Sequence, residues 1–336
     1  ELDSHPEKPA FALFASPIQA QGAKEVVLAI RGTKTLHDLV TDIRVAPITF
    51  PLDVTAVSGD EGEGEDGEDA SRDAYWMKVD SDNGTYACGG MARASEWLFS
   101  QMYPLLADLH SQGYQVVVVG HSLGASVAAL VTVLLQQKLP LTSPTELRAY
   151  GYSCPNCCCV GLASQLEEHM VSVVLGDDFV CRLSPSSVQS QLRHLEKHRH
   201  EAYGQLEHDW DSLVQRATEL WKPKHRVHSV GEETGGVSVV MSSLLGKRDW
   251  VEKGEAEEPM MDRELVEIWI PGRILHIYYH HGVSRVAEVP RGHPSLRSLA
   301  LQGTMLSDHF ARNVLSALKA VQLVHQAPDT PPVWTP

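Results

Sequence analysis

Residues 116–129 leave the backbone little choice. Val116-Val117-Val118-Val119 is a β-branched run that suits a buried strand, and Ala125-Ser126-Val127-Ala128-Ala129 is a small-residue run that suits a helix. Between them lies Gly120-His121-Ser122-Leu123-Gly124. A strand must therefore become a helix within one tight turn. Such a turn forces Ser122, at its apex, into a strained conformation, and glycines two positions to either side remove the Cβ atoms that would collide. The serine hydroxyl is lifted clear of the sheet. It stands at a helix N-terminus, where free amides and the dipole favour negative charge.

The flanking pattern alternates strands with helices. Phe11–Ala15 and Glu25–Ile30 read as neighbouring strands. Residues 90–110 read as a helix, with Trp97, Leu98, Met102, Leu105, Leu106 and Leu109 at helical spacing and Gly113 ending it. The strand from Gln115, the helix over 123–138 and the strands Leu147–Tyr152 and Val171–Leu175 follow. Leu265–Ile270, Ile274–Tyr279 and Ser284–Val289 read as later strands, and Met305–Leu318 as a last helix or helix-loop. This order predicts an α/β-hydrolase fold, a mostly parallel central sheet with helices on both faces. One domain is expected over 1–327, with a Pro-rich tail at 328–336.

Two segments break the pattern. Residues 59–73 hold eight acidic side chains against Arg72, so seven of the fifteen net negative charges sit there. Such a stretch buries too little apolar surface to offset its ordering entropy, and 58–73 is read as a disordered acidic insertion. Residues 223–262, rich in glycine and charge, read as a second, flexible insertion. Basic residues are few and scattered, which excludes a nucleic-acid surface. No apolar run approaches the roughly 18 residues that span a bilayer, and no leader pattern opens the chain. Of six cysteines, four crowd into Cys154–Cys159, a poor disulfide framework that reads as reduced loop thiols in a cytosolic compartment. Only Cys154 and Cys157 have zinc-ligand spacing, with no second pair, so no metal is expected.

A serine hydroxyl is a weak nucleophile until a base takes its proton. In this fold the order is serine, then acid, then histidine. Asp178 directly follows a strand, where α/β sheets place reactive groups, but Asp177 is adjacent and position does not separate them. His309, close to the C-terminus, is the favoured base, with His280 and His281 still open. The oxyanion needs two backbone amides. Leu123, after the nucleophile, is one. Thr33, in the Arg31-Gly32-Thr33 loop ending an early strand, is the other candidate.

These blocks together resemble the class 3 lipases, and within them the diacylglycerol lipases. Val26–Thr33 with Asp38 and Asp42, Gly90-Met91 with Ser95-Glu96, Gly120–Gly124, Val174–Leu183, Pro271–His276 and Met305–His309 occur in family order. The resemblance selects Asp178 over Asp177 and His309 over the other histidines. It implies a cofactor-free serine lipase that cleaves an outer (sn-1) acyl ester of diacylglycerol, releasing monoacylglycerol and fatty acid. It also implies a lid or regulatory role for 223–262 and a membrane or lipid-droplet surface as the place of action. The expected location is the cytosolic side of a membrane, with any membrane segments of a parent protein outside this chain. Cys181, where the family has proline, and Cys154–Cys159, where it has a Pro/Gly-rich turn, depart from the pattern. Two other classes remain open at this stage: a serine esterase, thioesterase or phospholipase of the same fold, and a catalytically silent module whose acidic loop binds a partner. Oligomeric state is not legible.

Overall fold

The structure is a computed structural model that describes residues 8–16, 24–32, 47–51, 84–197, 266–299 and 302–323. Thr33, Asp38, Asp42, both insertions and the Pro-rich tail lie outside the described residues.

In chain order the first strands are β1 (Phe11–Ala15), β2 (Glu25–Ile30), β3 (Pro47–Thr49), β4 (Tyr86–Cys88) and β5 (Gln115–His121). Then come β6 (Leu147–Tyr152), β7 (Met170–Leu175), β8 (Arg273–His280), β9 (Val283–Val289) and β10 (Gln322–Leu323). Among the described residues, eight of them make one sheet in the order β1-β2-β5-β6-β7-β8-β9-β10. Its centre, from β2 to β8, is parallel. β1 and β9 flank it antiparallel to their inner neighbours, and β10 adds to β9. β3 and β4 form a separate two-stranded antiparallel sheet. This is the α/β-hydrolase fold.

Alternation along the strands decides what each face meets. On β7, Val174 joins the main core, whereas Val173 and Leu175 pack with Val314 and Ala317 of the helix Ala311–Ala320. Helices therefore cover both faces. The helix Leu123–Lys138 has no charged residue before Lys138, and every residue from Leu123 to Leu135 is buried. A helix apolar on all sides belongs inside, and here it fixes the direction in which the preceding turn points.

Of the run Leu265–Ile270, the described residues 266–270 do not form a sheet strand. Val266, Ile268 and Ile270 are buried in alternation, which is what the sequence signals. In the structure Trp269 forms an isolated bridge with Cys158, and Pro271 follows before β8 begins at Arg273. An extended buried segment outside the sheet carries the same period-two pattern as a strand. Likewise the first part of Met305–Leu318 is a turn, with the helix starting at Ala311.

Candidate active site

β5 and the helix Leu123–Lys138 meet at Ser122, whose φ of 56° and ψ of −132° lie outside the regions open to most L-residues. Its N–H donates to the Tyr152 carbonyl at 2.9 Å. The glycines explain how this turn closes. A Cβ on Gly120 would stand 2.1 Å from the Gly124 oxygen, and one on Gly124 would stand 2.5 Å from the Ile30 oxygen. The end of β2 thus presses directly on the turn. Gly32 does the same, because a Cβ there would lie 2.6 Å from the His121 oxygen.

β7 is followed by Gly176, at φ +45°, and the chain turns to bury Asp178 completely. His309 comes from the turn before the helix Ala311–Ala320 and is also buried. Its Nδ1 lies 3.1 and 3.2 Å from the two Asp178 carboxylate oxygens, and its Nε2 lies 2.9 Å from Ser122 Oγ. A carboxylate only accepts, so Nδ1–H donates and Nε2 is left to accept the serine proton. Burial pushes the Asp178 carboxyl up, but His309, the nearby Ser153 hydroxyl and the Val180 N–H at 3.0 Å outweigh it and hold the group below its ordinary value. The Cys181 thiol donates to the same carboxylate at 3.6 Å.

The acid loop is anchored by residues to which the sequence assigned no role. Arg182, 2% exposed, donates to the carbonyls of Gly176 at 2.8 Å, Asp178 at 2.6 Å and Ser295 at 2.6 Å. His276, inside β8, donates from Nε2 to the Gly176 carbonyl at 2.8 Å. Asp308 accepts from the Asp177 N–H at 2.9 Å, and so ties the acid loop to the residue before His309. Burial raises the Asp308 carboxyl above its ordinary value. His121, inside the Gly-x-Ser-x-Gly turn, donates to the His309 carbonyl at 2.8 Å. His121 lies in the Gly-x-Ser-x-Gly turn, and Arg182, His276 and Asp308 lie in the family blocks, but none of the four was given a role by the sequence.

The structure brings Ser122, Asp178 and His309 together, and Leu123 beside them as the first helical residue, whose amide is one of the free first-turn donors. Thr33 lies outside the described residues. His280 and His281 end and turn the β8–β9 hairpin, exposed to solvent, with His281 at φ 50° and Gly282 at φ 76°. His293 caps the short helix Pro294–Arg297. The six cysteines are free thiols and all are buried, so the Cys154–Cys159 segment is an internal turn and not an exposed loop. Among the described residues, no cluster of His, Cys, Asp and Glu side chains has the arrangement of a metal site.

The family description "Lipase (class 3)" matches residues 27–188, which include Ser122 and Asp178. Over these residues the chain is similar to the class 3 lipases. It is 24% identical to diacylglycerol lipase-alpha of Homo sapiens over 328 residues, which is 89% of this chain and 26% of that protein. It is 28% identical to diacylglycerol lipase-beta of Mus musculus over 181 residues, 51% of this chain and 22% of that protein. The chain therefore spans about a quarter of the length of these curated relatives. Among solved structures it is similar to a lipase from Rhizopus microsporus var. chinensis, with a TM-score of 0.36, 18% identity and coverage of 54% of this chain and 58% of that one.

Proposed function

We propose that this chain is a serine lipase that hydrolyses an acyl ester of diacylglycerol. The reading rests above all on the His309 contacts, with Ser122 Oγ at 2.9 Å on one ring nitrogen and the Asp178 carboxylate at 3.1 Å on the other. In the reaction Ser122 Oγ attacks the ester carbonyl carbon while His309 Nε2 takes the hydroxyl proton. Asp178 keeps the other nitrogen protonated and stabilises the imidazolium without taking its proton. The oxyanion is held by the Leu123 amide and, from the loop beyond Gly32, the amide of Thr33. The imidazolium protonates the departing alcohol oxygen, and the acyl group remains on Ser122. Water then attacks the acyl-enzyme with His309 as base, and the fatty acid leaves.

The choice of diacylglycerol rests on the likeness to diacylglycerol lipase-alpha, which extends over 89% of the chain. The sn-1 position, action at a membrane or lipid-droplet surface, and a lid role for 223–262 belong to the same reading. The purified chain is incubated with diacylglycerols carrying different acyl groups at the two positions, beside Ser122→Ala, and the products are resolved. Release of the sn-1 acid by the wild type alone supports the proposal. Equal products from both proteins, or none from either, would sink it.

A further inference from the structure

Three non-glycine residues among those described hold a positive φ: Ser122, Ser153 and His281. His281 sits on an exposed hairpin tip, where such a conformation is ordinary. The other two are serines, and both are buried at the candidate triad. Ser153, at φ 54° and 0% exposed, directly follows β6. Glycine would adopt that backbone without strain, yet a serine stands there. A strained residue that the surroundings hold in place is a pointer to function.

Its surroundings say which function. The Ser153 N–H donates to the Val173 carbonyl at 2.9 Å, which fixes it against the strand that leads to Asp178. The preceding carbonyl, of Tyr152, accepts from the Ser122 N–H. The Tyr152-Ser153 pair thus touches the nucleophile's turn with one residue and the acid's strand with the next. The Ser153 hydroxyl has no hydrogen bond of ordinary length, a costly state for a buried polar group. It lies near enough to Asp178 to help hold that carboxyl down.

We infer that Ser153 is a positioning residue for Asp178, its backbone held in the left-handed region so that its hydroxyl faces the carboxylate and steadies it as His309 becomes charged. This rests on the triad reading above. Asp178 already accepts from His309, Val180 and Cys181, and the Ser153 hydroxyl, without a partner of ordinary length, is left to donate to it as charge builds on His309. Without it the carboxylate becomes more basic and holds the His309 proton more tightly. The other ionisable groups near Asp178 are Cys181, Arg182, His121, Asp308 and Asp177, and the variants leave all of them in place.

Ser153→Ala removes the hydroxyl and keeps the strain, whereas Ser153→Gly removes both. Each is measured against wild type and Ser122→Ala on a soluble short-chain nitrophenyl ester. Both Ser153 variants should lower kcat about tenfold with KM little changed, and should move the acid limb of kcat/KM to higher pH. Ser153→Gly should melt at a higher temperature than Ser153→Ala. A purely structural role would shift melting without moving kcat or the acid limb, and that result overturns the inference while the triad stands. Hydrolysis that survives Ser122→Ala overturns the triad reading and this one with it.

Discussion

His121 Nε2 lies 2.8 Å from the backbone oxygen of His309, 188 positions away in the chain. A carbonyl only accepts, so His121 carries its proton on Nε2 and donates. Burial, with His309 nearby, lowers this ring to about 4 and keeps it neutral. The ring centres are 5.0 Å apart. A charged His121 would oppose the imidazolium that catalysis forms on its neighbour, whereas a neutral one pins the histidine loop to the nucleophile's turn without that repulsion.

His121→Phe keeps a flat ring of similar breadth and deletes the donor. It should fold and lose about ten- to a hundredfold in kcat, since one hydrogen bond is gone and the base is no longer held in register. Steady-state kinetics on a soluble ester checks this. Unchanged kcat would mean that the loop holds its place by packing.

Acid should destabilise the fold well above the carboxylate range. Burial lowers both His121 and His276 to about 4 from an ordinary 6.5. Between those values the unfolded chain takes up protons that the folded chain does not, so stability falls as pH falls through that window. Each ring accounts for at most about 3 kcal/mol. Asp178, held below its ordinary 3.8, adds a loss only at still lower pH. Asp308 is raised and works the other way: the folded chain binds its proton first, which offsets part of the loss. Melting temperature should therefore drop from about pH 7 to about pH 4.5. In His276→Gln, which keeps an N–H for the Gly176 carbonyl, the drop should be shallower. The same slope in both proteins would remove His276 from this account.

Two glycine substitutions should separate steric need from mere flexibility. Gly124→Ala sets a methyl 2.5 Å from the Ile30 oxygen, a backbone atom that has nowhere to go. It should cost about 3 kcal/mol or more. A methyl on Gly161, in the helix Val160–Gln165, would meet nothing nearer than the flexible Cys159 Sγ at 3.9 Å. Gly161→Ala should be neutral or stabilise by up to about 1 kcal/mol. Denaturant melts of the two variants test the contrast, and similar losses in both would contradict it.

What could be read from the sequence follows the range of the interaction. The turn at Ser122 is a local matter of one apolar run, two glycines and one small-residue helix, and its strain follows from those alone. The meeting of Asp178 with His309 spans 131 positions and depends on the strand order and on the turn that ends at Phe310. Spacing left Asp177 and several histidines open, and only the family blocks chose among them. Arg182 lies in a family block, but its anchoring role was not legible, because arginine normally lies outside and only the fold supplies three inward carbonyls to receive it. The cysteine turn misled for the opposite reason: crowded cysteines read as loop thiols, but the segment is buried, and the Asn156 side-chain amide inside it donates to the Cys181 and Leu183 carbonyls at 2.9 Å each.

The proposed acid gives the sharpest separation of folding from chemistry. Asp178→Asn is nearly isosteric, and its amide oxygen still accepts from the Val180 N–H, which now meets Asp178 Oδ1 at 3.0 Å. The fold should persist. The amide nitrogen, however, donates, so where it faces His309 it turns Nδ1 into an acceptor and puts the ring proton on Nε2. That nitrogen can then no longer take the Ser122 proton, and no carboxylate remains to stabilise the imidazolium. The kcat should fall by about ten-thousandfold, as expected for loss of the correct tautomer. Labelling by a fluorophosphonate probe should slow in parallel, because the probe needs the same activated hydroxyl. An Asp178→Asn protein with wild-type melting and wild-type turnover would take the acid's role away from this residue.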